Sequence, residues 1–154
     1  VRGLVAMKMT PQYIEAQRNM QPGVISLVGF LGNDARNLLE IITADEREMA
    51  ALGLDFQEVA EWLKKMMQEA EKGLGEPVVF DKWEVQLFEA RGFIPCPFKD
   101  GIFQKRTMQV KRLNKELTPS VSELSIHLLE KHHFLQGKGS PFRIEPRVLK
   151  ELME

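Results

Sequence analysis

The spacing of the apolar residues changes at residues 73–77, and that change constrains the fold more than any other feature of the chain. Before it, Phe56, Val59, Ala60, Leu63, Met66, Met67 and Ala70 recur at three- and four-residue steps. This places them on one face of a helix over about residues 55 to 72, with Glu58, Glu61, Lys64, Lys65, Gln68, Glu69 and Lys72 on the solvated face. After Gly73 and Gly75 the residue types become β-branched and aromatic: Val78, Val79, Phe80, Trp83, Val85, then Phe93, Ile94, Ile102, Phe103 and Val110. Breaks at Asp81-Lys82, Arg91-Gly92 and Lys99-Asp100-Gly101 predict a meander of about three or four antiparallel strands, with Asp100-Gly101 the strongest turn.

Cap residues place the helices around this centre. Thr10-Pro11 opens a short helix that Gln21-Pro22-Gly23 ends. Residues 24–31 read as a strand or a buried lead-in. Asn33 or Asp34 caps a helix carrying Ala35, Leu38 and Ile42, and Thr43 with Glu46 forms a capping box for another, ending at Gly53. Thr118-Pro119, in competition with Ser120 and Glu123, starts a helix running to about His133, and a last helix begins near Pro146. The expected class is α+β: N-terminal helices packed on a small antiparallel β meander, followed by one or two C-terminal helices. Residues 10–154 form a single domain, helical over about 10–75 and β-rich then helical over about 76–154. Residues 1–9 read as a tag or disordered N-terminus, with Met7 or Met9 as the true start.

A chain of 154 residues with 44% hydrophobic side chains offsets its ordering entropy with one core and needs no staples. The longest apolar run, residues 24–32, is far short of the roughly 18 to 20 residues that span a bilayer, so no membrane segment is expected. A lone cysteine, Cys96, suits a reducing compartment, and the cytoplasm is the expected location. The net charge of −1 hides a division: residues 1–90 hold 15 acidic and 9 basic side chains (15 − 9, net −6), and residues 91–154 hold 7 acidic and 12 basic (12 − 7, net +5). Either the basic half meets an anionic partner, or the halves face each other within the fold or across a homo-oligomer.

Several groups of residues carry candidate chemistry. Residues 48–63 have helix-turn-helix spacing around Gly53, but Asp55, Glu58 and Glu61 crowd the end that would approach phosphates, so an ordinary helical hairpin is expected. Lys105, Arg106, Lys111 and Arg112 lie on a basic hairpin with Phe98 and Phe103 interleaved, a pattern open to RNA or single strands, although strand alternation would split these charges between two faces. Lys138, Ser140 and Arg143 in the Gly-rich loop are candidates for an anion cradle. His127, His132 and His133 comprise all the histidines. A dimetal site therefore lacks ligands, but a mononuclear site drawing on His127, one of His132 or His133, Cys96 and a carboxylate such as Glu123 or Glu130 is compatible with the sequence. Cys96 between two prolines is otherwise a buried structural thiol.

Two stretches, residues 92–106 (Gly92-Phe-Ile-Pro-Cys-Pro-Phe-Lys-Asp-Gly-Ile-Phe-Gln-Lys-Arg106) and 125–143 (from Ser125-Ile-His through Gly137-Lys-Gly-Ser-Pro-Phe-Arg143), resemble a family of small bacterial cytosolic proteins with no assigned activity. The likeness runs over most of the chain from about Tyr13, and it implies no catalytic residue. The leading expectation is a non-catalytic cytosolic binding module whose basic second half takes an acidic protein or small anion. One alternative is a small metal- or cysteine-dependent enzyme using Cys96, the histidines and the loop 137–143. Another is nucleic-acid binding by hairpin 99–115. No cofactor is required by the residues, and a single metal ion is compatible with them. The enzyme reading predicts Cys96 or a histidine in a concavity beside a partner group, whereas the binding-module reading predicts Lys105, Lys111 and Arg112 on one exposed face.

Overall fold

A computed structural model describes residues 8–154, so the expectations for residues 1–7, Met7 included, lie outside the described residues. Helix α3 (Phe56–Glu71) is the element on which the rest is laid. Asp55 caps it by accepting from the Glu58 amide, and its buried residues are the seven named from periodicity. Against that face lies a four-stranded antiparallel sheet in the order β1-β2-β3-β4: β1 (Val78–Phe80), β2 (Trp83–Pro95), β3 (Ile102–Arg112) and β4 (Ser120–Ser122). Strand alternation turns Val85, Leu87, Met108, Val110 and Val121 inward, while the other sheet face is left to solvent. The α+β class and the helices on both sides of the meander in sequence are as expected. The Trp83 indole donates to the Leu152 carbonyl at 2.7 Å, so helix α5 (Pro146–Met153) closes one end of this core.

A second apolar cluster forms at the other end. Helix α1 (Pro11–Asn19) contributes Ala16, helix α2 (Leu38–Ala51) contributes Leu38, Ile41 and Ile42, and helix α4 (Glu123–His132) contributes Leu124 and Leu128. Into it the β2–β3 hairpin inserts its tip, burying Cys96 and Phe98. Met9 packs against the same cluster.

Four local expectations differ from the structure. Residues 24–31 form turns rather than a strand, and Leu27 and Val28 are exposed, because Met20 and Phe30 anchor the ends of the excursion instead. Residues 38–51 form one helix: Asn37 and Glu40 make the capping box, which leaves Thr43 and Glu46 in its interior. Arg91-Gly92 is a bulge within one long strand, since Glu89 pairs with Arg106 and Phe93 with Gln104, and Gly92 takes the positive φ of 95° that such a bulge requires. Neither Thr118 nor Ser120 caps α4: residues 120–122 are held in the sheet against β3, and Ser122 becomes the cap, accepting from the Ser125 amide.

Because Leu63 is fully buried between helix and sheet while Gln68 is exposed, Leu63→Ala should lower the unfolding free energy by about 2–5 kcal/mol. Gln68→Ala should stay within about 0.5 kcal/mol of wild type. Urea denaturation of the two variants checks both.

Candidate metal centre

The hairpin tip is shaped by its prolines. Pro97 presets φ for a tight turn in which the Lys99 amide donates to the Cys96 carbonyl at 2.9 Å, and the Cys96 amide donates to the Gly101 carbonyl at 2.9 Å. Lys99 takes a left-handed φ of 62° to complete the reversal. Cys96 therefore points inward, with 1% of its surface exposed, and its sulfur accepts a hydrogen bond from the Phe98 amide at 3.4 Å. Asp100, three residues past Pro97, turns its carboxylate over the same spot.

Helix α4 brings the other half. His127 and His132 are five residues apart, about 140° around a helix, so they would not share a face on a helix continuing past both. His132 is the last helical residue, and His133 follows it in the left-handed conformation (φ 53°) that ends the helix. The two rings then reach the carboxylate from either side: His127 Nε2 lies 2.9 Å from Asp100 Oδ1, and His132 Nε2 lies 2.7 Å from Asp100 Oδ2. Phe98 stacks on His132 with ring centroids 3.8 Å apart and an interplanar angle of 7°, and Phe103 lies against His127 at 4.4 Å. The outcome is one thiol, one carboxylate and two imidazoles whose ligand atoms all lie within 4.8 Å of one another.

The electrostatics of this cluster depend on burial. Burial, together with the hydrogen bond to Asp100, pushes the Cys96 thiol up to about 12. Burial also lowers the His132 pKa, outweighing the attraction of Asp100. Burial opposes the charge on Asp100 too, but hydrogen bonds from Cys96, His127 and His132 together hold its carboxyl well below the usual range. A thiol that favours its protonated form thus faces a carboxylate that favours its ionised form. A thiol held protonated is a weaker nucleophile than its thiolate.

The remaining sequence candidates lie elsewhere. His133 Nδ1 lies 2.7 Å from the accepting Glu46 Oε2, and its ring stacks on Phe56, on the α2 side of the chain. Glu130 accepts from Lys64 at 2.7 Å and from Gln57. Glu123 accepts from the Gln104 amide and pairs with Arg106. Glu123 and Glu130, with His127, line a groove of about 490 Å³ between α3, α4 and the hairpin. The carboxylate that meets Cys96 and the two histidines is Asp100. As a sequence signal it was absorbed by its role in the Asp100-Gly101 turn, although the Cys-x-x-x-Asp spacing across a proline-led turn marks it as well.

The basic candidates are divided. Lys105 and Lys111 lie on the open face of the sheet, whereas Arg106 and Arg112 belong to the covered side, where Arg106 pairs with Glu71 and Arg112 donates to the Leu113 and Glu154 carbonyls. In the 137–143 loop, the Ser140 and Arg143 side chains and the Lys138 amide are engaged internally, whereas the Lys138 side chain is exposed. The Lys138 amide donates to Asp34, Ser140 donates to Gln136 at 2.6 Å, and Arg143 forms a two-pronged pair with Asp45 at 2.8 and 2.9 Å, both side chains at most 5% exposed. Arg143–Asp45, Arg106–Glu71, Lys99–Glu15 and His133–Glu46 each join a base of the second half to an acid of the first. Part of the charge division is thus met inside the molecule.

No protein-family model matches this chain, and neither the curated proteins nor the solved structures contain a match to it.

Removing Arg143 would leave the Asp45 carboxylate buried and unpaired, so Arg143→Ala should cost about 3–5 kcal/mol in denaturant unfolding. Asp34 offers a pH test. Its hydrogen bonds from Arg36 chiefly, opposed by burial and helped by the Lys138 amide, hold its carboxyl well below the usual range. A folded-state pKa below the unfolded one gives stability that is full above the unfolded value and is lost as pH falls toward the folded one. Asp34→Asn should accordingly lower the urea midpoint at pH 7, and its difference from wild type should shrink below about pH 4.

Proposed function

We propose that this protein binds a single zinc ion between the tip of the β2–β3 hairpin and the C-terminal end of α4, through Cys96, Asp100, His127 and His132. The observation that carries this reading is the convergence of four ligand atoms of the right types within 4.8 Å, drawn from two separate elements. Thiolate, imidazole and carboxylate together suit a borderline-soft ion that accepts sulfur, nitrogen and oxygen in a tetrahedron. With bonds of about 2.0–2.3 Å the edges of such a tetrahedron are roughly 3.3–3.7 Å. The two imidazole–carboxylate contacts, 2.9 and 2.7 Å, are shorter than that, so Asp100 has to draw back from both imidazoles to admit the ion.

The surroundings fit a metal thiolate. The Phe98 amide already donates to the Cys96 sulfur, which favours the thiolate form. Stacking by Phe98 on His132 and the tilted contact of Phe103 with His127 hold the imidazoles, a role that outer hydrogen bonds often fill at other sites. The reading is supported also by His127, which lines the groove between α3, α4 and the hairpin and lies 2.9 Å from Asp100.

Protein purified without a histidine tag should carry about one zinc per chain by elemental analysis. Cys96→Ser and His132→Ala should each weaken zinc binding by more than the about 10- to 100-fold that loss of an outer-shell partner costs. Zinc at about 1,000 times its dissociation constant should add about 4 kcal/mol of stability to wild type, read as a rise in melting temperature that both variants lack. Wild-type protein that is metal-free as purified, and whose melting is unmoved by added zinc, would overturn the reading.

A further inference from the structure

The four ligands are not held alike. Cys96 is 1% exposed, and the side chains of His127 and His132 are 13% and 15% exposed, whereas that of Asp100 is 39% exposed. Cys96 is fixed by a turn with a proline on either side and by main-chain hydrogen bonds, His132 by the stacked Phe98 ring and His127 by the tilted Phe103 ring against it. The side-chain hydrogen bonds of Asp100 run to Cys96, His127 and His132, the same groups that would ligate the ion. Once those groups turn a lone pair to a metal they have no proton left there to donate. The carboxylate then has the metal as its remaining tie, on the solvent side of the site.

We infer that Asp100 is an exchangeable ligand, so that the zinc centre proposed above takes up a small monoanionic oxygen or nitrogen donor, such as a carboxylate or azide, in its place. This rests on the zinc reading. Zinc with one thiolate and two neutral imidazoles carries a net charge of +1, which an anion neutralises as Asp100 does. Rotating an exposed aspartate away from the ion returns its charge to water. The rigid three-ligand base of Cys96, His127 and His132 stays in place, as in sites that keep one coordination position open.

The test uses the full chain loaded with cobalt(II) in place of zinc, because cobalt reports its ligands in its visible spectrum. Azide titrated into the wild type should change the ligand-field bands saturably. In Asp100→Ala, azide should bind about tenfold tighter, since the internal competitor is gone, and Asp100→Asn, which preserves the shape of the turn, should fall between. Wild-type bands that azide leaves unchanged while Asp100→Ala responds would make Asp100 a permanent ligand and overturn the inference. Equal azide affinity in all three proteins would overturn it too, since azide would then not be replacing Asp100. Absence of a thiolate-to-cobalt charge-transfer band in the wild type would instead show that the metal reading itself fails, and the inference with it.

Discussion

The insertion of the hairpin tip beneath the end of α4 is the contact on which this half of the molecule depends. Phe98 enters a cluster with Leu124, Leu128 and Phe134, receives the edge of Tyr13 from α1, and stacks on His132. Asn19 donates to the Pro97 carbonyl and Lys99 pairs with Glu15, so α1 is fastened to the same turn. A polar quartet of Cys96, Asp100, His127 and His132 is thereby carried on an apolar anchor. Burial on the anchor side and solvent on the Asp100 side give the site its direction.

The acidic first half and basic second half follow from the same architecture. A sheet covered on one side by helices of the first half brings second-half bases to first-half acids, and the most deeply buried of these pairs, Asp45–Arg143, ties α2 to the loop before α5. A buried pair of this kind contributes less to net stability than its Coulomb attraction suggests, but losing one partner is costly. It therefore specifies how the loop docks. That docking uses Ser140 and Gln136 as well, which join through Ser125 to the start of α4. The loop is thereby a strap to the helix that bears His127 and His132.

The parts of the fold legible in the sequence were those governed by local period. The buried face of α3 could be named residue by residue because one helix face meets one sheet face. The failures were competitive: Asn37 and Ser122 capped where Thr43 and Thr118 had equal local claims, and tertiary pairing decided between them. At the site, Cys96, His127 and His132 stood out as metal-ligand types, but no helical or strand spacing links residue 96 to residue 127. Asp100 was hidden by a competent structural explanation as a turn residue. His133 and Glu130, adjacent in sequence to the true cluster, were drawn away by the left-handed end of α4 and by Lys64.

X-ray absorption at the zinc edge of the natively purified protein tests the central claim most directly, since it counts ligands by type without requiring an activity. The account predicts one sulfur at about 2.3 Å and three nitrogen or oxygen ligands at about 2.0–2.1 Å, with the sulfur shell gone in any zinc retained by Cys96→Ser. A shell made only of nitrogen and oxygen in the wild type, or one with more than a single sulfur per zinc, would contradict it.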